Sequence, residues 1–177
     1  MGFKSVGENV RIAKSCTIVG LENISIKSNV QIDEHVFIAA NKGLLQIGDH
    51  VHVGGLCHLN CNGGVFISDF CGLSQGVKIY SLTDDYSGNS LTNPTVPEKY
   101  KQLKKAPVHL GRHVLIGSGS VVLPGVSIGV GSAVGALSLV SVPLDEWGIF
   151  FGSPAKKIQS RSKKILELEK LLKQNER

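Results

Sequence analysis

The chain has 177 residues and a net charge of +5, which is enough for one domain with its own core. Residues 156–177 hold eight Lys/Arg and three Glu and so carry all of that excess, leaving a near-neutral body without the basic face that nucleic-acid binding needs. No apolar run reaches membrane-spanning length and the opening MGFKSVGENV lacks a signal-peptide core, so neither nucleic acid nor membrane is an expected partner, and a cytoplasmic location is expected.

From the start of the chain, Ile, Leu or Val recurs at a six-residue step. Val6, Ile12 and Ile18 form a first triplet. Ile26, Ile32 and Ile38 follow after a gap of eight, Ile47, Val53 and Leu59 after nine, and Ile67, Leu73 and Ile79 after eight. Residues i and i−2 of a strand share one face, and the i−2 positions are apolar too, with Cys16, Cys57 and Cys71 among them. These cysteines read as small buried residues. With Cys61 they show no C-x-x-C spacing, so free thiols in a reducing compartment are expected.

Each gap falls after three steps, so one coil is three short strands, about eighteen residues, in triangular section. The extra residues gather at one corner, near Val19-Gly20-Leu21, Ala40-Asn41-Lys42-Gly43 and Cys61-Asn62-Gly63-Gly64.

After Ile79 the repeat stops. Residues 80–107 hold three prolines, many Ser, Asn and Asp, and a basic cluster at Lys99, Lys101, Lys104 and Lys105. A loop this long in a compact domain is usually functional or disordered. The repeat then resumes in register through Leu110, Ile116, Val122, Ile128, Val134 and Val140, with glycine directly after at Gly111, Gly117, Gly129 and Gly135. Glycine there serves a corner with positive φ or a close backbone approach.

The predicted fold is all-β: a parallel β-helix of about six coils over residues 1–159, with the 80–107 loop thrown out from one corner. A C-terminal α-helix is predicted over 160–177, N-capped by Ser160. Its apolar stripe, Ile165, Leu168, Leu171 and Leu172, should pack over the open end or on a neighbour.

The hexad repeat, Leu115-Ile116-Gly117-Ser118, Leu123-Pro124-Gly125 and the ending Phe151-Gly-Ser-Pro-Ala-Lys-Lys resemble the hexapeptide-repeat acyltransferases, above all sugar O- and N-acetyltransferases of the galactoside acetyltransferase type. The resemblance implies a left-handed coil, a homotrimer, and acetyl-coenzyme A in the groove between subunits. Carried over by position, it assigns Gly117, Ser118, Ala136, Ser141, Lys156 and Lys157 to the cofactor, the lysines near its phosphates. It assigns Asn60 to the acceptor sugar, and Tyr86, in the loop, is placed on the same side. The family's catalytic histidine falls five residues past the last aliphatic residue before the loop. Here that place is Asp84, and no histidine lies between His58 and His109.

Three groups could take the proton in acyl transfer: Asp84, Asp85 beside it, whose pairing can raise one carboxyl toward neutrality, and His58, one coil back on the same face. A sugar hydroxyl needs a strong base, whereas an amine attacks while neutral and loses its proton afterwards. The missing histidine therefore favours N-acetylation of a nucleotide-linked amino sugar in surface-polysaccharide biosynthesis. O-acetylation of a hydroxyl and a non-catalytic β-helix scaffold are the alternatives. The six histidines do not fit the spacing of a γ-type carbonic anhydrase, and no metal is expected.

Overall fold

The computed structural model describes residues 2–175. Parallel strands of two or three residues stack into three sheets, the faces of a triangular solenoid. The first face is Ser5–Val6, Ile24–Ile26, Leu45–Ile47, Val65–Ile67, Val108–Leu110 and Ser127–Ile128. The third is Thr17–Val19, Phe37–Ala39, His58–Asn60, Lys78–Tyr80, Val121–Val122 and Leu139–Val140. The second starts with Arg11–Ile12, Gln31–Ile32, His52–Val53, Gly72–Leu73, Leu115–Ile116 and Ala133–Val134 and continues into two further strands. The aliphatic ladder stays in register throughout: Ile26 beside Ile47, Val53 beside Leu73, Leu73 beside Ile116, and Ile79 beside Val122.

The six-residue pattern is therefore the core. From Ile26 onward every predicted inward aliphatic residue is buried. In the first triplet Val6 is exposed and Ile12 and Ile18 are half-buried, because no coil covers them from below. In the narrow i−2 slots, sulfur and hydroxyl groups do the same job. Cys57 Sγ donates to the Ser74 carbonyl at 3.2 Å and Cys71 Sγ to Gly111 at 3.1 Å, while Ser120 and Ser138 Oγ donate to Gly135 at 2.9 and 2.8 Å. Buried polar groups in an apolar tube have to be satisfied this way.

The corners divide two tasks that sequence alone left together. Positive φ falls mid-turn, at Asn29, His50, Phe70 and His113 between the first and second faces, and at Leu56, Gly76, Gly119 and Leu137 between the second and third. The glycines after the aliphatic residues serve close approach instead. A Cβ on Gly117 would stand 2.5 Å from the Ala136 nitrogen of the next coil, so no larger residue fits between stacked backbones.

The end of the chain departs from expectation. Gly148–Phe151 extends the second face beside Ala133–Val134, and Phe150, 4% exposed, plugs the tube. Lys156–Ser160 returns antiparallel to it, so Ser160 is a strand residue, not the helix cap. The helix runs Ile165–Asn175; positions 176 and 177 of the predicted helix lie outside the described residues. Ser162 Oγ accepts from Lys164 N at 3.3 Å just ahead of it. The helix lies along the side of the solenoid, at the corner of Phe70 and His113, and not over the open end. Ile165, Leu168 and Leu172 face a 540 Å³ groove there with Leu115 and Val114, while Leu171 points away from it.

Candidate active site

The insertion leaves the third face at Tyr80 and is closed at its base by Leu82–Thr83 pairing antiparallel with Lys104–Lys105. Ser81, fully buried, pins this base. Its Oγ donates to the Asn60 carbonyl at 2.6 Å and accepts from Gly63 N at 2.8 Å. Between the insertion and the corner joining the third and first faces lies a cavity of about 950 Å³. Asn60, Asn62, Tyr80, Asp84, Tyr86 and Leu123 are among its lining residues, together with Lys42, Lys101 and Lys105.

Three of the five acceptor-side residues picked from sequence thus meet: Asn60, Asp84 and Tyr86. Asp84 is half-buried and its Oδ1 accepts from Asn93 N across the insertion at 3.3 Å. The other two do not join them. Asp85 is consumed locally, its carboxylate accepting from Ser87 N at 2.8 Å, Ser87 Oγ at 2.6 Å and Ser90 Oγ at 3.0 Å. The hydrogen bonds from Ser87 hold its carboxyl below the usual range, the opposite of the rise expected from pairing with Asp84; an Asx-type turn fixes the charged form.

His58 lies outside the cavity lining. Its ring stacks on Phe37 with centroids 4.8 Å apart and leans on Tyr80 at 5.5 Å. Burial, with the Lys78 charge nearby, lowers its pKa.

The residues that the resemblance assigns to the cofactor lie, Ser141 excepted, at a different edge. Gly117 and Ser118 stack under Ala136 at the corner between the second and third faces, with Leu137 N donating to the Ser118 carbonyl at 2.9 Å. The turn ahead of Lys156 folds over the same corner: Leu139 N donates to Gly152 and Ala155 N to Leu139. Lys156 and Lys157 follow, both exposed. Ser141 sits apart, past the third-face strand Leu139–Val140 and on the cavity's side.

Gly117 and Leu123 are six positions apart, on either side of the corner at Gly119 and the third-face strand Val121–Val122. Sequence reasoning assigned no role to the lysines of the cavity, although the basic cluster in the loop was visible. Only the pairing of Leu82 with Lys105 aims one of them inward. Among the described residues, no group of three or more His, Cys, Asp or Glu is arranged to hold a metal ion, and no helix is long and apolar enough to cross a membrane.

No family model matches the chain. It is 44% identical over 173 residues to a dTDP-4-amino-4,6-dideoxy-D-glucose acyltransferase of Escherichia coli, spanning 98% of this chain and 90% of that protein. It superposes with a TM-score of 0.94 on AntD, an N-acyltransferase from Bacillus cereus solved with dTDP and 3-hydroxybutyryl-CoA, at 41% identity over 99% of this chain and 93% of that one. AntD has also been solved with single aspartate or serine substitutions. A maltose O-acetyltransferase from Clostridium difficile, 20% identical with a TM-score of 0.62 over 91% of this chain and 71% of that one, shares the fold.

Proposed function

The chain belongs to the hexapeptide-repeat sugar acyltransferases, and from that premise we propose that it N-acylates a dTDP-linked 4-amino-4,6-dideoxyhexose, with acetyl-coenzyme A as donor. The observation that carries this reading is the 44% identity, across nearly the whole of both chains, to an acyltransferase named for that amino sugar. The absence of histidine from the loop base agrees with it. In the reaction the neutral amine attacks the thioester carbonyl carbon. A C–N bond forms as the carbonyl electrons move onto oxygen. Collapse of that intermediate breaks the C–S bond, coenzyme A leaves as thiolate, and the ammonium proton passes to the thiolate or water. No strong base is needed. The role fitting Asp84 is to accept an N–H of the amine and aim its lone pair.

The donor corner and the acceptor cavity lie at opposite edges of the third face in one chain. Their separation supports a homotrimer in which the donor corner of one protomer faces the cavity of the next, around a left-handed coil. The serine and the aspartate substituted in AntD are ten positions apart in that protein. Ser74 and Asp84 are the one Ser–Asp pair at that spacing here. Ser74 is at the donor corner, since its nitrogen donates to the Ile116 carbonyl beside Gly117, and Asp84 lines the cavity. A cytoplasmic site of action and a product destined for surface polysaccharide follow from the substrates proposed.

The test is release of free thiol, with mass confirmation of product, from acetyl-coenzyme A and dTDP-4-amino-4,6-dideoxyglucose, run beside 3-hydroxybutyryl-coenzyme A and beside the 4-hydroxyl sugar. Acylation of the amine alone is expected. No turnover of the amine with either donor would overturn the reading.

A further inference from the structure

Inside the cavity, three lysines from two separate elements line the same wall as one carboxylate, and one of them touches it. Lys42 Nζ lies 2.6 Å from Glu98 Oε1. Lys42 belongs to the corner that joins the third and first faces, its backbone held by donation to Asn62 Oδ1 at 2.9 Å. Glu98 and its other two neighbours belong to the insertion. Lys105 is fixed by its strand pairing with Leu82, and Lys101 by its bridge to Leu91 and by donation from Nζ to the Asn93 carbonyl at 3.0 Å. Lys42 foremost, then Lys101 and Lys105, hold the Glu98 carboxyl below its usual range. Of the residues lining the cavity, only Asp84 and Glu98 are acidic. An exposed carboxylate gains little from a first cation, and less from two more that line the same cavity without touching it. A diphosphate, carrying two to three negative charges, gains from all three, and lysine serves it as a point charge.

We propose that Lys42, Lys101 and Lys105 form the diphosphate subsite of the cavity, and that the Glu98 carboxylate holds the place a diphosphate takes. The assignment rests on the nucleotide-sugar reading above. It explains why the insertion is basic, and why only some of its lysines count: strand alternation turns Lys104 away from Lys105, and Lys99 lies over the Tyr100 ring.

Nucleotide sugars and coenzyme A both contain a diphosphate, so the experiment titrates the full chain by calorimetry with dTDP, thymidine and coenzyme A. Lys101→Ala and Lys105→Ala should each weaken dTDP about tenfold, the worth of one charge-assisted hydrogen bond, and leave thymidine and coenzyme A unchanged. Glu98→Gln should strengthen dTDP severalfold by removing its competitor. Coenzyme A weakened in place of dTDP would assign the lysines to the donor and overturn the proposal. Unchanged dTDP affinity in both lysine variants, or weaker dTDP binding to Glu98→Gln, would overturn it while leaving the acceptor class intact. A wild-type chain that binds no dTDP would remove the nucleotide-sugar reading as well. Unchanged thermal unfolding of the variants serves as the folding control.

Discussion

Glu169 Oε2 stands 2.7 Å from His113 Nε2, which ties the last helix to a corner of the solenoid. The pair is well covered, with side chains 10% and 7% exposed. Arg112 pairs with the other carboxylate oxygen and Lys173 reaches it at 2.7 Å, one turn along the helix. Below, His113 stacks on Phe70 with centroids 5.1 Å apart, and Arg161 donates to the His113 carbonyl at 2.8 Å.

This clasp should govern the helix's attachment. Hydrogen bonds from Lys173 and His113, with the Arg112 charge, keep the Glu169 carboxyl lowered against the cost of burial. A lowered folded pKa gives stability that is present above the unfolded value and lost as pH falls through the folded one. Glu169→Gln should cost about 1–3 kcal/mol at pH 7, measured by urea unfolding. The difference from wild type should vanish at acid pH, where wild-type Glu169 is protonated too.

Replacing Ile116 by Asp should prevent folding. Ile116 is fully buried between Leu73 and Val134, where an unpaired charge has no partner and no water. A soluble variant with wild-type circular dichroism would contradict the inward register.

The two aspartates of the loop base should separate functionally. Asp84→Asn should lower kcat/KM for the amino sugar about tenfold, the loss of one charge-assisted hydrogen bond. Asp85→Asn and His58→Ala should stay within about threefold of wild type, as neither side chain lines the cavity. Steady-state thiol release decides, and a loss concentrated in Asp85→Asn would reverse the assignment.

Lys156→Ala should raise KM for acetyl-coenzyme A severalfold with kcat unchanged, as removal of a contact made equally in ground and transition state would. An unchanged KM would clear this lysine of any role with the cofactor phosphates.

Burial pushes the Cys57 thiol up to about 11, and Cys61 and Cys71 up to about 12. Thiolate is the reactive form. Iodoacetamide at pH 8 should therefore leave all three unlabelled in the folded chain and label them in urea, as read by intact mass.

The solenoid was legible in the sequence because its interior is one-dimensional. A six-residue step forces Ile26 beside Ile47 and Leu73 beside Ile116, and no long-range choice competes with it. Cys57 and Cys71 could be placed in their slots for the same reason. The Gly117-Ser118 motif could be placed at its corner in the same way, as a local feature of one turn.

What period could not reach is whatever leaves the coil. The helix start moved from Ser160 to Ile165 because Lys156–Ser160 found an open sheet edge at Gly148–Phe151, and edge pairing outcompetes a local cap. Asp84 and Asp85 are neighbours in sequence and equal in chemistry. Only the folded insertion turns one into the cavity and spends the other on Ser87 and Ser90. His58, sharing a face with both by count, was claimed by its stack between Phe37 and Tyr80. The lysines carry the same lesson. Lys42 and Glu98 are fifty-six residues apart, and no pattern in the chain announces that a corner of the solenoid and the far arm of a loop will close on one anion.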